Sequence, residues 1–402
     1  MIELLVFNKF KSLTNVQLRL GNFNCLIGMN GAGKSTLLQG IDFLSQLMHG
    51  RLDDWLAMRD WEISDIGSSL HPRQGMALSV LYKTQSGQTI IWSSGLSRGH
   101  LHCASELIFF DGKKALEVKA GTLTIHDSFK NGKNIDGPIG FTYQGSILSQ
   151  LRDDAVPAPI LEMRDALRNI RSLELLAPNL MRRPTSKADS EKDIGAGGEK
   201  LSAFLHGIKG PQREQLLTLI RQFYPQVTDF KITSQKSGWK KLSVFEQYGD
   251  HRIETEARHL NDGLLRVLAI LAQTTSDRSL VLLDEIENGI NPEIVEPLVD
   301  ALVQSPQQML VTTHSPMILN YLDDDTARKS VQFVYKGPDG STRIRRFFDI
   351  ERINRKLDVM GPGEAFVDTD LRALTQECIQ LDAQQQQEKQ QQQNKVTKDS
   401  TA

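Results

Sequence analysis

The segment Gly28-Met29-Asn30-Gly31-Ala32-Gly33-Lys34-Ser35-Thr36 constrains this chain more than any other. It matches G-x-x-x-x-G-K-[ST] between an apolar run, Asn22 to Ile27, and a helical stretch from Ser35 to about Met48. A strand, a glycine loop and a helix in that order predict an α/β fold in which the loop closes about a phosphate. The glycines let the backbone turn its N–H groups inward at dihedrals that a side chain would obstruct. Lys34 is expected to neutralise the β- and γ-phosphates of ATP, and the Ser35 hydroxyl to ligate Mg²⁺. Gly28, Asn30, Gly31, Ala32, Gly33, Lys34, Ser35 and Thr36 together make the expected nucleotide cradle. The competing reading, a glycine-rich turn with an incidental lysine, is disfavoured by the strand and helix on either side.

Three further segments carry chemistry. Leu280-Val281-Leu282-Leu283-Asp284-Glu285 is an apolar strand ending in two carboxylates. At the C-terminal edge of an open sheet these acids face a ligand, so Asp284 is expected to hold Mg²⁺ and Glu285 to orient and deprotonate water. Met309-Leu310-Val311-Thr312-Thr313-His314-Ser315 is a second buried strand, and His314 at its end can hydrogen-bond a γ-phosphate or the attacking water. A lone histidine at a strand end is more often structural; its place one strand after the acidic pair favours function. Leu260-Asn261-Asp262-Gly263-Leu264-Leu265-Arg266 opens an apolar helix that Asn261 or Asp262 can cap, and alone it is only a capped helix.

Around these motifs the pattern falls into blocks. Strand-like runs between Met76 and Ile125 suggest an antiparallel sheet. Helical periodicity between Ser146 and Phe223, including Ile160 through Ile170, suggests a helical lobe, with a mobile loop over Pro184 to Gly198. From Leu260 onward, helices alternate with the buried strands Leu280 to Leu283 and Met309 to Thr313, the pattern of a parallel sheet. The glutamine-rich tract Ala383 to Lys395 cannot build a core and reads as a disordered or frayed helical tail. The formal charge of -2 supplies no overall field for nucleic acid, so a DNA-binding surface would be a local patch. Cys25, Cys103 and Cys378 lie too far apart to suggest a disulfide framework or zinc site. With no apolar run long enough for a bilayer and no signal core, a cytoplasmic protein without membrane partners is expected.

With its motifs in this order the chain resembles the ABC-type ATPases of the RecF, SMC and OLD group over roughly residues 1 to 350, and most of all their compact bacterial members without a long coiled coil. Phe7-Asn8-Lys9-Phe10-Lys11-Ser12-Leu13 is similar to their N-F-K-S-F segment. Ser149-Gln150-Leu151-Arg152, Leu180-Met181-Arg182-Arg183-Pro184 and Gly198-Glu199-Lys200-Leu201 are similar to segments of their helical lobe. The resemblance implies an α/β P-loop NTPase of the ABC-ATPase head type, with a parallel core sheet, an antiparallel β subdomain and an inserted helical lobe. The ATPase domain would span 1–357, divided at 1–145, 146–225 and 226–357, followed by an extension over 358–382 and the tail over 383–402.

The resemblance also implies a homodimer or higher homo-oligomer with ATP at the interface. Asn261, Asp262, Gly263 and Arg266 would then touch the γ-phosphate bound by a second copy, and Glu287 to Asn291 would couple the two sites. Glu285, His314 and Lys34 form the implied catalytic set, and Ser35 and Asp284 the metal set. Asn261 stands where the family usually has serine, which implies slow or partner-dependent hydrolysis. Gln144 and Gln150 are the candidates for the family's Mg²⁺-sensing glutamine, with a surface glutamine the favoured reading of each. Arginines at 164, 168, 171, 182 and 183 and at 343, 345 and 346 could track DNA phosphates, but interspersed acids and strand alternation favour solvated faces.

The expected function is an ATP-driven switch acting on DNA in repair or antiphage defence, with a separate nuclease or other effector. Too little chain follows the hairpin ending near Phe347 for an OLD-type nuclease domain. The alternative is a nucleotide-sensing regulator with little turnover. A transporter subunit is disfavoured, since those carry L-S-G-G-Q where this chain has Leu260-Asn261-Asp262-Gly263-Leu264.

Overall fold

The computed structural model describes residues 1–96, 100–126, 134–174, 176–186, 193–234 and 238–399. Strands β1 (Ile2–Asn8), β2 (Val16–Arg19) and β3 (Phe23–Ile27) open the chain, followed by α1 (Lys34–His49) and α2 (Leu52–Met58). Next come β4 (Met76–Lys83), β5 (Thr89–Leu96), β6 (Cys103–Phe110), β7 (Lys113–Lys119), β8 (Thr122–Ile125) and β9 (Ile135–Pro138). Then follow α3 (Ala158–Arg168), β10 (Ile170–Ser172), α4 (Pro178–Met181), α5 (Leu201–Gly207) and α6 (Pro211–Phe223). Strands β11 (Val227–Ser234), β12 (Lys240–Tyr248) and β13 (His251–Glu256) precede α7 (Asp262–Thr274). The last third holds β14 (Leu280–Leu283), α8 (Pro292–Val303), β15 (Gln308–Thr312), α9 (Pro316–Asn320) and α10 (Asp324–Ser330). It closes with β16 (Val331–Lys336), β17 (Thr342–Arg346), α11 (Glu351–Asn354), α12 (Pro362–Val367) and α13 (Leu371–Asp399).

The core sheet runs β10-β14-β15-β3-β16-β17, parallel throughout except for the edge strand β17. Its strands are apolar on both faces because each face has its own core. Phe23, Cys25 and Ile27 of β3 join one hydrophobic cluster with Val281, Leu283, Met309, Val311, Phe333 and the α7 side chains. The alternate residues Leu26, Leu280, Leu282, Leu310 and Val334 point the other way, into a cluster with α1, α3 and the antiparallel sheet. That period of two is what a pleated strand imposes. The antiparallel sheet runs β2-β1-β4-β5-β6-β7-β8-β9, adding β1, β2 and β9 to the strands expected between Met76 and Ile125.

Three features differ from expectation. The helical periodicity reaching Ile170 is cut at Arg168, and Ile170–Ser172 instead pairs in parallel with β14, Ile170 opposite Leu280. An apolar residue at that spacing satisfies helix and strand patterns alike, and the open edge of the sheet decides. Arg171 therefore lies on a core strand rather than in the helical lobe. Second, residues 227–256 form a separate antiparallel sheet, β11-β12-β13, which the sequence reading did not isolate. Third, the flanks of the expected mobile loop are pinned: Thr185 exchanges backbone hydrogen bonds with Lys240 at 2.9 and 2.8 Å, and Ile194 is fully buried. The middle of that loop, residues 187–192, lies outside the described residues.

The glutamine tract continues α13 as far as Asp399. The helix is docked by Asp382, which accepts hydrogen bonds from Tyr335 Oη at 2.7 Å, Arg343 Nη1 at 2.9 Å and Arg345 Nη2 at 2.8 Å. Those donors hold the Asp382 carboxyl below the usual carboxylate range against the opposing effect of burial. No helix among the described residues is long and apolar enough to cross a membrane.

Candidate functional site

The sheet order explains the site. β14, β15 and β3 are consecutive neighbours, so the acidic pair after β14, the histidine after β15 and the glycine loop after β3 emerge side by side at one edge. The loop leaves β3 with Gly28 at φ 149°, passes Gly31 at 73°, and ends with Gly33 at 112°, which caps α1. At two of these positions space as well as backbone demands glycine. A Cβ at Gly28 would lie 2.2 Å from the Val334 carbonyl oxygen, and one at Gly33 would lie 2.2 Å from Thr342 Oγ1. Thr342 buttresses the loop from behind, donating to the Ala32 carbonyl at 3.1 Å and sharing a hydrogen bond with Ser12 Oγ at 2.8 Å.

The loop forms the wall of a cleft of about 330 Å³ lined by Asn30, Gly31, Ala32, Gly33, Lys34, Ser35, Thr36, Asp284, Glu285 and His314. Lys34 Nζ donates to the carbonyls of Gly28 at 2.9 Å and Met29 at 3.3 Å. Burial pushes its ammonium below the ordinary lysine value, while Asp284, Glu285 and Glu287 oppose that shift. Ser35 Oγ donates to Asp284 Oδ2 at 3.0 Å, joining the expected metal residues directly. Among the described residues no three His, Cys, Asp or Glu side chains form a metal cage. Ser35 and Asp284 fit Mg²⁺ completed by phosphate oxygens, the sparse protein ligand set that ion takes at nucleotide sites.

The two strand ends are stitched together. Thr312 Oγ1 donates to Asp284 Oδ1 and accepts from the Glu285 backbone N–H at 2.9 Å. Glu285 has φ 47°, a left-handed conformation unusual for a side-chain-bearing residue and held by this contact and by Asn288 N donating to its carbonyl at 2.9 Å. Its carboxylate oxygen Oε1 lies 3.7 Å from His314 Nε2, so the expected base and switch residue share one mouth of the cleft.

Asn261, Asp262, Gly263 and Arg266 lie elsewhere. Asn261 caps α7 through Oδ1, which accepts from Leu264 N at 2.7 Å, leaving its side-chain amide N–H groups free of that bond. Arg182 reaches the Leu260 carbonyl at 2.7 Å and Asp262 at 2.5 Å. A Cβ on Gly263 would lie 3.1 Å from Tyr224 Oη and 3.4 Å from the Gly289 carbonyl oxygen, and one on Gly289 would lie 3.3 Å from Arg266 Nε. The head of α7 and the loop Glu287 to Asn291 therefore pack together as one surface. Burial lowers the Arg266 guanidinium from its ordinary value, with Asp262 opposing.

The two glutamines considered for Mg²⁺ do not reach the cleft. Gln144 Oε1 accepts from Leu52 N at 2.9 Å, and Gln150 Nε2 would lie 3.0 Å from a Cβ on Gly50. Both sit past the far end of α1, about 22 Å from Ser35 at 1.5 Å per helical residue.

Six of the eight arginines weighed for DNA have structural partners. Arg164 pairs with Asp153 and Asp165, Arg171 with Asp193 and Arg182 with Asp262, while Arg168 donates to the Met48 carbonyl. Arg343 and Arg345 are held by Asp382.

The sequence reading missed the hydroxyls of Thr312 and Thr313, although paired threonines ending an otherwise apolar strand were a visible signal. It also missed a charged cluster beside the site, where Arg59 Nη2 bridges Asp42 at 2.6 Å and Glu174 at 2.5 Å. Burial raises the Glu174 carboxyl to about 7 against the pull of Arg59. Glu174 follows β10 as Asp284 follows the neighbouring β14, so they share a sheet edge.

A family profile described as "AAA domain, putative AbiEii toxin, Type IV TA system" matches residues 23–99 and 123–320, well over half of the chain and every motif of the cleft. The chain belongs to this AAA-domain family. No curated protein matches it. Among solved structures, an SMC head bound to the C-winged helix domain of ScpA superposes with a TM-score of 0.52 at 15% identity, covering 86% of this chain and 96% of that one. The SMC head domain from Thermotoga maritima gives a TM-score of 0.47 at 12% identity, covering 86% and 98%. A Pyrococcus furiosus SMC head with an extended coiled coil gives 0.49 at 12%, covering 89% and 99%. The first of these superpositions gives the AAA-domain chain the fold of an SMC head, with the glycine loop, acidic strand end and histidine of the cleft inside the matched family region.

Proposed function

We propose that this AAA-domain protein hydrolyses ATP with Mg²⁺ and uses the cycle to switch between separate and paired copies. The observation that carries the reading is the meeting of Ser35 and Asp284 at 3.0 Å and of Glu285 and His314 at 3.7 Å on the rim of one glycine-walled cleft. Backbone N–H groups of the loop and Lys34 would bind the phosphates. Mg²⁺, when bound, would neutralise charge on the β- and γ-phosphate oxygens. Glu285 accepts a proton as water oxygen bonds to the γ-phosphorus. The bond to the bridging oxygen breaks, and ADP leaves with that electron pair. His314 orients the water and the γ-phosphate.

Asn261, Asp262, Gly263 and Arg266 do not line the cleft of their own chain. Their surface is suited to cover the cleft of a second copy, which makes pairing depend on ATP. Asn261 retains amide N–H groups for a phosphate. The role of such a switch in DNA repair or antiphage defence, with a separate effector, rests on the resemblance to the RecF, SMC and OLD group. The family description as a putative toxin of a toxin–antitoxin system and the ScpA domain bound to an SMC head support an effector partnership.

The test is steady-state ATP hydrolysis by the wild type and Glu285→Gln, with and without duplex DNA, while light scattering follows mass. Wild-type turnover with an ATP-dependent dimer or larger assembly of the variant supports the switch. ATP binding without turnover under every condition favours the nucleotide-sensing regulator.

A further inference from the structure

Glu287 lies three residues beyond Asp284, where the family resemblance places a loop facing a second copy. In this chain its carboxylate turns inward. Oε1 accepts three hydrogen bonds from the segment that carries His314: from Thr313 Oγ1 at 3.0 Å, His314 N at 3.0 Å and Ser315 N at 3.2 Å. Those backbone donors have left the β15 ladder and stand at the start of α9, where a helix offers N–H groups without partners of their own. Ser315, the residue that caps α9, makes no side-chain capping bond. Ser315 N is shared between Thr313 Oγ1 at 2.9 Å and Glu287 Oε1, so Glu287 adds from another strand end to a local acceptor and alone serves the His314 N–H.

We propose that Glu287 is a positioning residue for hydrolysis, holding the His314 loop against the strand end that carries Asp284 and Glu285. The inference rests on the hydrolytic reading above. His314 is partly exposed, with its ring nitrogen 3.7 Å from Glu285, so its aim depends on the backbone beneath it. Thr313 N donates to the Leu26 carbonyl at 3.2 Å, fixing the same segment to the strand that leads into the glycine loop. Glu287 also adds to the field that favours the charged form of Lys34. One carboxylate thereby links the acidic strand end, the histidine loop and the phosphate-binding lysine. Glu287→Gln keeps an acceptor oxygen for these donors, at the cost of an unpaired NH2 where Oε2 is buried without a partner.

The test compares Glu287→Ala, Glu287→Gln, His314→Ala and the Glu287→Ala/His314→Ala double variant in full-length protein. We expect Glu287→Ala to lower kcat at least tenfold and the ATP dissociation constant to change less than about twofold, since the loop is aimed at the reaction rather than the bound ground state. Glu287→Gln should recover most of the rate, and the double variant should be no slower than His314→Ala alone. Independent losses that multiply in the double variant, or a Glu287→Ala rate equal to wild type, would overturn the proposal.

A second readout needs no turnover. The imidazole C2–H signal of His314, assigned by its loss in His314→Ala, should shift in Glu287→Ala and return in Glu287→Gln. An unmoved signal sinks the positioning role even if hydrolysis stands, whereas an inactive wild type with a shifted signal sinks the hydrolytic reading alone. Should Glu287→Ala fail to fold, Thr313→Val removes one donor and should give a smaller kcat loss and signal shift in the same direction; no change in either would overturn the proposal.

Discussion

Glu106 is buried at 2% exposure and accepts hydrogen bonds from Trp92 Nε1 at 2.9 Å, Ile147 N at 2.6 Å and Ser146 Oγ, none of them a cation. It ties β6 to the turn that enters the helical lobe. Burial pushes its carboxyl from 4.5 up to about 7, further than these donors pull it down. Between those values the folded chain holds a proton at Glu106 that the unfolded chain has released. The stability contributed by this proton is present in full below the unfolded value and is lost as pH rises through the folded one. At 1.36 kcal/mol per unit, the loss amounts to about 3 kcal/mol by about pH 8. Glu106→Gln retains an acceptor and removes the ionisation. Denaturant titrations of both proteins from about pH 4 to about pH 8 give a difference in which the other titrating groups largely cancel. That difference should move in favour of the variant by about 3 kcal/mol as pH rises. A flat difference would refute the reasoning, because Glu106 would then ionise in the fold at its ordinary value and the three donors would offset burial in full.

Four further outcomes follow from the geometry. Glu285→Gln should slow hydrolysis by roughly two to four orders of magnitude, the usual worth of a general base, and leave ATP affinity within a few-fold, checked by single-turnover kinetics and equilibrium binding. Gly33→Ala should abolish nucleotide binding and lower the melting temperature, since its Cβ would meet Thr342 at 2.2 Å on a backbone with φ 112°; calorimetric titration with ATP reads the first effect and thermal melting the second. Asp382→Ala should free α13 by removing the acceptor for Tyr335, Arg343 and Arg345, costing about 2 kcal/mol, and amide exchange in α13 should accelerate accordingly. Asn261→Ala should cost about 1 kcal/mol through the lost cap on α7 and Asn261→Ser much less, as denaturant unfolding would show.

Residues whose partners lie within one segment were the legible ones. The glycine loop announces itself because phosphate binding demands consecutive backbone dihedrals, and all of them belong to nine adjacent positions. The ends of β14 and β15 were legible for a related reason, since a fully buried strand leaves its first polar residue at the sheet edge. The bonds joining those ends were not. Thr312 to Asp284 and Thr313 to Glu287 connect positions more than twenty-five apart in sequence. Strand order brings them together, and the local pattern at either end is compatible with a hydroxyl or carboxylate simply facing water. Ile170 shows the same limit from the other side: its spacing completes a helical stripe, yet the free edge of β14 takes it into the sheet. Gln144 carries no local mark of which end of α1 it will meet, and the backbone N–H of Leu52 decides. The reaction machinery of this site is therefore written in local motifs, while the bonds that hold its parts in register are written in topology. Changes at Glu287 or Thr312 should accordingly affect turnover more than ATP binding.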